Sequence, residues 1–226
     1  MEIYVIMVTL NNVKYTQQTL SSIKTNLPCN VVIVDNASTD GTLQLLNDLQ
    51  KISNQIIMRN MKRISLSAAW NMGLRRAMQD LEFKYAFVIN NDIIFEPYTL
   101  EQHVNFAQSH PEYVLMSGLN TRIWKKRPNE VAEGACNFSA FFITKSCLLK
   151  VGLFDENFLG AYFEDNDYAL RVKKAGLKMC VVCDVGFNHF GSVTLREGLN
   201  KQEQAHQNAC FINNREYFKK KWGFIP

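Results

Sequence analysis

A layered α/β fold built on a mostly parallel sheet is predicted by three features of the chain. Short apolar runs alternate with helical patterns through the first half. The connections between them are short. Polar residues gather where the apolar runs end. Ile3–Thr9 is the first strand, and Thr16–Asn26 has helical spacing at Leu20, Ile23 and Leu27. Asn30–Val34 is a second strand that ends at Asp35. Ser38-Thr39-Asp40-Gly41-Thr42 is a turn and helix-start cluster, and Thr42–Leu49 has helical spacing at Leu45, Leu46 and Leu49. Ile56–Arg59 is a third strand, Ser65–Gln79 a helix, and Ala86–Ile89 a fourth strand. Beyond these, Tyr98–His110 reads as a helix stopped by Pro111, and Val114–Ser117 and Ala140–Thr144 as strands. Ser146–Val151 and Glu164–Ala175 read as helices, Lys178–Asp184 as a strand, and Asn208–Lys221 as a last helix.

The 226 residues are 47% hydrophobic and 20% charged, which is ordinary for a globular chain large enough to bury a core without disulfides. No apolar run approaches the ~20 residues that span a bilayer, and the start Met-Glu-Ile-Tyr-Val-Ile-Met-Val reads as a strand, not a leader. The expectation is therefore a soluble cytoplasmic protein, in the host cytoplasm if the source is a virus. The six cysteines read as buried free thiols. Cys180 and Cys183 have metal-pair spacing, but they lie in a strand pattern and have no second pair.

Charge is uneven. Residues 1–118 hold 9 Lys+Arg and 10 Asp+Glu, whereas residues 119–226 hold 16 and 11. Arg122, Lys125, Lys126 and Arg127 surround Trp124, and basic groups interleaved with an aromatic ring can hold a polyanion or simply face solvent.

Two aspartates, Asp35 and Asp92, end strands on one rim, where open α/β sheets bind ligands. Glu164-Asp165-Asn166-Asp167 and His189 follow. Together these residues point to a metal site and a general base in one cleft, although acids at a helix start are also favoured by the helix dipole.

Four segments in order carry a family resemblance. They are Val32-Ile-Val-Asp-Asn-Ala-Ser-Thr-Asp-Gly-Thr42, Trp70-Asn-Met-Gly73, Asn90-Asn-Asp92 and Phe163-Glu-Asp-Asn-Asp-Tyr168. The chain resembles the inverting nucleotide-sugar glycosyltransferases of family 2, which have the GT-A fold. The resemblance implies one domain over 1–226, with a Rossmann-like nucleotide-sugar half (1–118) and a smaller mixed acceptor half (119–226) that ends in a helix.

It also implies roles. Thr9, Asn11, Asp35, Asn71, Asn90 and Asn91 would bind the nucleotide, with Asp35 accepting the ring N–H of uracil or thymine, and Arg63 would contact the diphosphate. Asp92 and His189 would hold Mn²⁺ or Mg²⁺. Asn90 stands where relatives carry a first metal aspartate, which should weaken the metal site. Asp165 would be the base, with Glu164 orienting the acceptor. Gly134 would let the backbone approach the sugar, and Trp124 and Arg122 would meet the acceptor. The donor implied is a UDP- or dTDP-sugar. The acceptor hydroxyl is left open between a surface glycan or lipid carrier and a hydroxylated DNA base. A catalytically weak nucleotide-sugar or nucleic-acid binding module is the alternative, and a nucleotidyltransferase is disfavoured because Thr9–Tyr15 holds no glycine.

Overall fold

The computed structural model describes residues 2–52, 55–191, 193 and 197–226. Its centre is a nine-stranded sheet among the described residues, in the order β3-β2-β1-β4-β8-β6-β9-β5, with β7 paired to β9. The strands are β1 (Ile3–Thr9), β2 (Asn30–Asp35), β3 (Ile56–Arg59), β4 (Tyr85–Asn90), β5 (Ile93–Phe95), β6 (Tyr113–Asn120), β7 (Val131–Glu133), β8 (Ala140–Thr144) and β9 (Lys178–His189). Every residue of β1 is buried. A strand with helices on both faces has no polar side to alternate with, which explains its unbroken apolar run.

The first four strands are parallel, as the alternation predicts. Beyond β4 the sheet becomes mixed: β8 runs antiparallel to β4 and β6, β9 parallel to β6, and β5 antiparallel to β9. The helices are α1 (Val13–Ser22), α2 (Thr42–Ile52), α3 (Leu66–Met78), α4 (Thr99–Ser109), α5 (Lys145–Val151), α6 (Glu164–Lys174) and α7 (Lys201–Trp222). Two buried clusters cover the two faces, one including Tyr4, Ile6, Trp70 and Phe141, the other Val5, Met7, Phe87 and Phe142.

Several boundaries differ from those predicted. α1 begins at Val13 and ends at Ser22, so Leu27 lies outside it. β9 continues to His189, because its second half pairs with the unforeseen three-residue β5. α7 begins at Lys201, where Asn200 and Glu203 form a reciprocal capping box that satisfies the first-turn amides. Gly73 is required for packing, since a Cβ there would lie 2.2 Å from Ile6 Cγ2 on β1. All six cysteines are free; Cys180 and Cys183 are both buried.

Candidate active site

Beyond the carboxyl ends of β1 and β4 lies a cavity of about 540 Å³. Asn90, Asn91 and Asp92 line it from the end of β4, His189 from the end of β9, Glu164 and Asp165 from the first turn of α6, and Arg63 from the segment before α3. Residues far apart in sequence meet here because of register. The antiparallel β5–β9 pairing sets Ile93 opposite His189, so His189 arrives beside Asp92. Asp92 Oδ1 lies 3.2 Å from His189 Nε2, and Asp92 Oδ2 accepts a hydrogen bond from the Val193 amide at 3.4 Å. Ser192 lies outside the described residues.

Glu164 is only 4% exposed, and its Oε2 has no hydrogen-bond partner among the described residues. Burial, reinforced by the neighbouring Asp165 charge, pushes its carboxyl up to about 8, so it is protonated at neutral pH. Burial also raises Asp165 above an ordinary aspartate, opposed by the Asn166 amide, which donates to Asp165 Oδ1 at 2.8 Å. An aspartate made more basic in this way is a better proton acceptor. Asp167 serves elsewhere: fully buried, it pairs with Arg171 at 2.8 Å and Lys221 at 2.7 Å and accepts from Trp222 Nε1 at 2.9 Å.

Six residues expected at the site do not line the cavity. Thr9 and Asn11 are held behind its wall by Asn91, whose Nδ2 donates to Thr9 Oγ1 (3.1 Å), Thr16 Oγ1 (3.0 Å) and the Asn11 carbonyl (3.1 Å). Asp35 is wholly buried in the same rim and accepts from the Ser38 amide at 3.0 Å. Its Oδ2 has no hydrogen bond among the described residues, with Arg59 Nε 3.7 Å away.

Asn71 points the other way. Its amide brackets Phe154, donating to the carbonyl and accepting from the N–H at 2.9 Å each, and it also donates to Glu156 at 2.8 Å. On a helix whose opposite side packs against β1, that position faces the Phe154–Glu156 loop, not the donor space. Gly134 adopts a left-handed turn (φ 75°) with nothing within 4 Å of an added Cβ, so no close approach requires it. The Arg122 guanidinium sits 4.9 Å over the Phe190 ring, whereas Trp124 does line the cavity and is 59% exposed.

Sequence reasoning missed Asn36, Trp70, Asn120 and Tyr162, all of which line the cavity. Asn36 and Trp70 lie inside the segments that carry the resemblance, which was the available signal. Trp70 Nε1 and Arg63 Nη1 are buried with no partner among the described residues.

The family model described as "Glycosyl transferase family 2" matches residues 4–168. The chain belongs to that family. It is 22% identical over 215 residues to a galactofuranosyl glycosyltransferase of Leishmania donovani, covering 73% of this chain and 48% of that protein, so it spans about half that relative's length. Among solved structures, the mannosyltransferase PcManGT of Pyrobaculum calidifontis with GDP-Man and Mn²⁺ superposes with a TM-score of 0.69 at 17% identity, covering 100% of this chain and 66% of that one. S. aureus TarS residues 1–349 with UDP-GlcNAc gives 0.66 at 20% identity, covering 99% and 75%. These likenesses establish the GT-A fold. No described helix is long and apolar enough to cross a membrane.

Metal chemistry fits the donors present. One carboxylate oxygen and one imidazole nitrogen converge, and no group of three or more His, Cys, Asp or Glu ligands exists among the described residues. Mg²⁺ and Mn²⁺ accept such sparse protein ligation when substrate phosphates and water complete the shell, and imidazole suits Mn²⁺.

Proposed function

We propose that the chain is a metal-dependent inverting glycosyltransferase that moves a sugar from a UDP- or dTDP-sugar to an acceptor hydroxyl in a single displacement. One observation carries this reading: the Asp92–His189 pair and the Glu164–Asp165 pair line the same cavity. Two opposite chemical needs thus meet in one space, a site for leaving diphosphate and a base for the incoming hydroxyl.

Asp92 and His189 would hold the cation, which when bound supplies positive charge against the departing diphosphate. The Arg63 guanidinium, whose Nη2 donates to Gln207, adds a second positive group at the same wall. Asp165 takes the proton from the acceptor oxygen as that oxygen attacks the anomeric carbon. Glu164, protonated at neutral pH, leaves the proton-accepting role to Asp165. Asn90 contributes a neutral oxygen at the cavity wall. Residues 1–118 form the donor half in this reading and 119–226 the acceptor half.

For the acceptor we favour a glycan hydroxyl over DNA. Of the four basic groups around Trp124, Lys126 is paired with Glu96 and Arg127 with Glu130, and the Arg122 guanidinium lies over the Phe190 ring. Exposed Trp124 instead offers a flat apolar face at the cavity, of the kind on which a sugar ring stacks.

The test is sugar transfer from a panel of UDP- and dTDP-sugars with Mn²⁺, run beside Asp165→Asn. Transfer should fall by about 10²–10⁴-fold in the variant, while calorimetric UDP affinity stays within about twofold. Wild-type protein that binds nucleotide yet neither transfers nor hydrolyses any donor would leave a binding module as the better account.

A further inference from the structure

The segment that delivers the proposed base is held by a part of the chain beyond the family match. The loop from Phe158 to Phe163 lines the cavity through Gly160, Ala161 and Tyr162 and leads directly into Glu164 and Asp165. Its backbone is unfavourable in isolation. Tyr162 (φ 83°) and Phe163 (φ 75°) are consecutive left-handed residues with side chains, next to left-handed Gly160 (φ 62°).

Two buried amides on α7 take up this backbone. Asn214 Nδ2 donates to the carbonyls of Leu159 (2.7 Å), Tyr162 (3.0 Å) and Ala161 (3.3 Å), while its Oδ1 accepts from the Leu159 amide at 2.9 Å. Gln207 Nε2 donates to the Ala161 carbonyl at 3.2 Å, and its Oε1 accepts from Arg63 Nη2 at 3.1 Å. A Cβ at Gly160 would lie 2.6 Å from that Oε1, so the glycine is needed for the amide to fit.

Adhesion of α7 does not depend on these amides. Phe218 packs against Phe158 and Phe163, and Lys221 is paired to Asp155 and Asp167. A primary amide places two donor hydrogens and a separate acceptor oxygen on one planar group, which suits a loop showing carbonyls and an N–H together.

We propose that Asn214 and Gln207 are positioning residues of the transfer site. Asn214 shapes the loop that presents Asp165. Gln207 ties that loop to Arg63, so the base side and the diphosphate side are set by one helix. This rests on the glycosyl-transfer reading above.

The experiment compares Asn214→Leu, a near-isostere without hydrogen bonds, Gln207→Leu, and the milder Asn214→Ser as insurance against failure to fold. Folded Asn214 variants should lose about tenfold to a hundredfold in kcat with donor KM and UDP affinity within twofold, because a displaced base slows chemistry without touching the nucleotide. Gln207→Leu should chiefly raise donor KM through Arg63. Unchanged kcat in folded Asn214→Ser, or losses that only track the folded fraction, would overturn the proposal. If wild-type protein transfers no sugar, the functional reading fails on its own, and hydrogen exchange still decides this one. Exchange at residues 159–163 about tenfold faster in Asn214→Ser supports the clamp, and unaltered exchange refutes it.

Discussion

Glu164→Gln should make the protein more stable, by an amount that grows as pH rises above the ordinary glutamate value and levels off once the buried carboxyl has ionised. The side chain is 4% exposed, its Oε2 has no partner among the described residues, and its proton is held to about 8, against 4.5 for an ordinary glutamate. Since the folded value is raised, the favourable contribution is complete below pH 4.5 and disappears as pH climbs through 8. At pH 7 the unfolded chain has ionised Glu164 and the folded chain has not, which costs about 3 kcal/mol at 1.36 kcal/mol per unit; above pH 8 the cost levels at about 5 kcal/mol. Glutamine mimics the neutral acid and cannot ionise, so its advantage should be near zero at pH 4, about 3 kcal/mol at pH 7 and about 5 kcal/mol at pH 9. For a domain of this size the pH 7 figure corresponds to roughly 6–12 °C in Tm. Urea unfolding of both proteins at the three pH values measures it. A stability difference independent of pH, or largest in acid, would show that burial does not control this carboxyl.

Further outcomes follow from the same geometry. His189→Ala removes one of the two residues proposed to hold the cation, so the Mn²⁺ concentration for half-maximal transfer should rise at least about tenfold, since even outer-shell changes cost 10–100-fold. Buried His103 is held neutral, its value lowered to about 4 by burial despite the bond to the Thr99 carbonyl. Its folded value lies below 6.5, so stability should be lost as pH falls from 6.5 to 4, by about 3 kcal/mol, and His103→Phe should flatten that slope in acid unfolding curves. Gly73→Ala should destabilise by about 1–3 kcal/mol in denaturant titrations despite better helix propensity, because its methyl would sit 2.2 Å from Ile6 Cγ2.

Local features of this chain were legible because their causes are local. The apolar run of β1, the Ser65 cap whose hydroxyl accepts from the Ala68 amide, and the acidic start of α6 each depend on neighbours within a few residues. The order of the four segments identified the family, and with it Asp92 and Asp165 as residues that do face the cavity. Asn71 lies in the same motifs yet turns to Phe154, because its direction is set by where a later loop packs on α3. Helical spacing alone cannot tell one contacted face from another.

What the sequence determined by itself was the alternation of elements, the family, and the chemical types gathered at the strand ends. Tertiary structure decided which of those groups meet. His189 reaches Asp92 only through the register of a three-residue strand too short to leave a periodic signal. The last helix, whose residues offered no motif, reaches back across 144 positions to touch Arg63. Periodicity and capping are properties of adjacent residues. Register and packing are settled by the whole chain at once, when burial of the core excludes every other pairing.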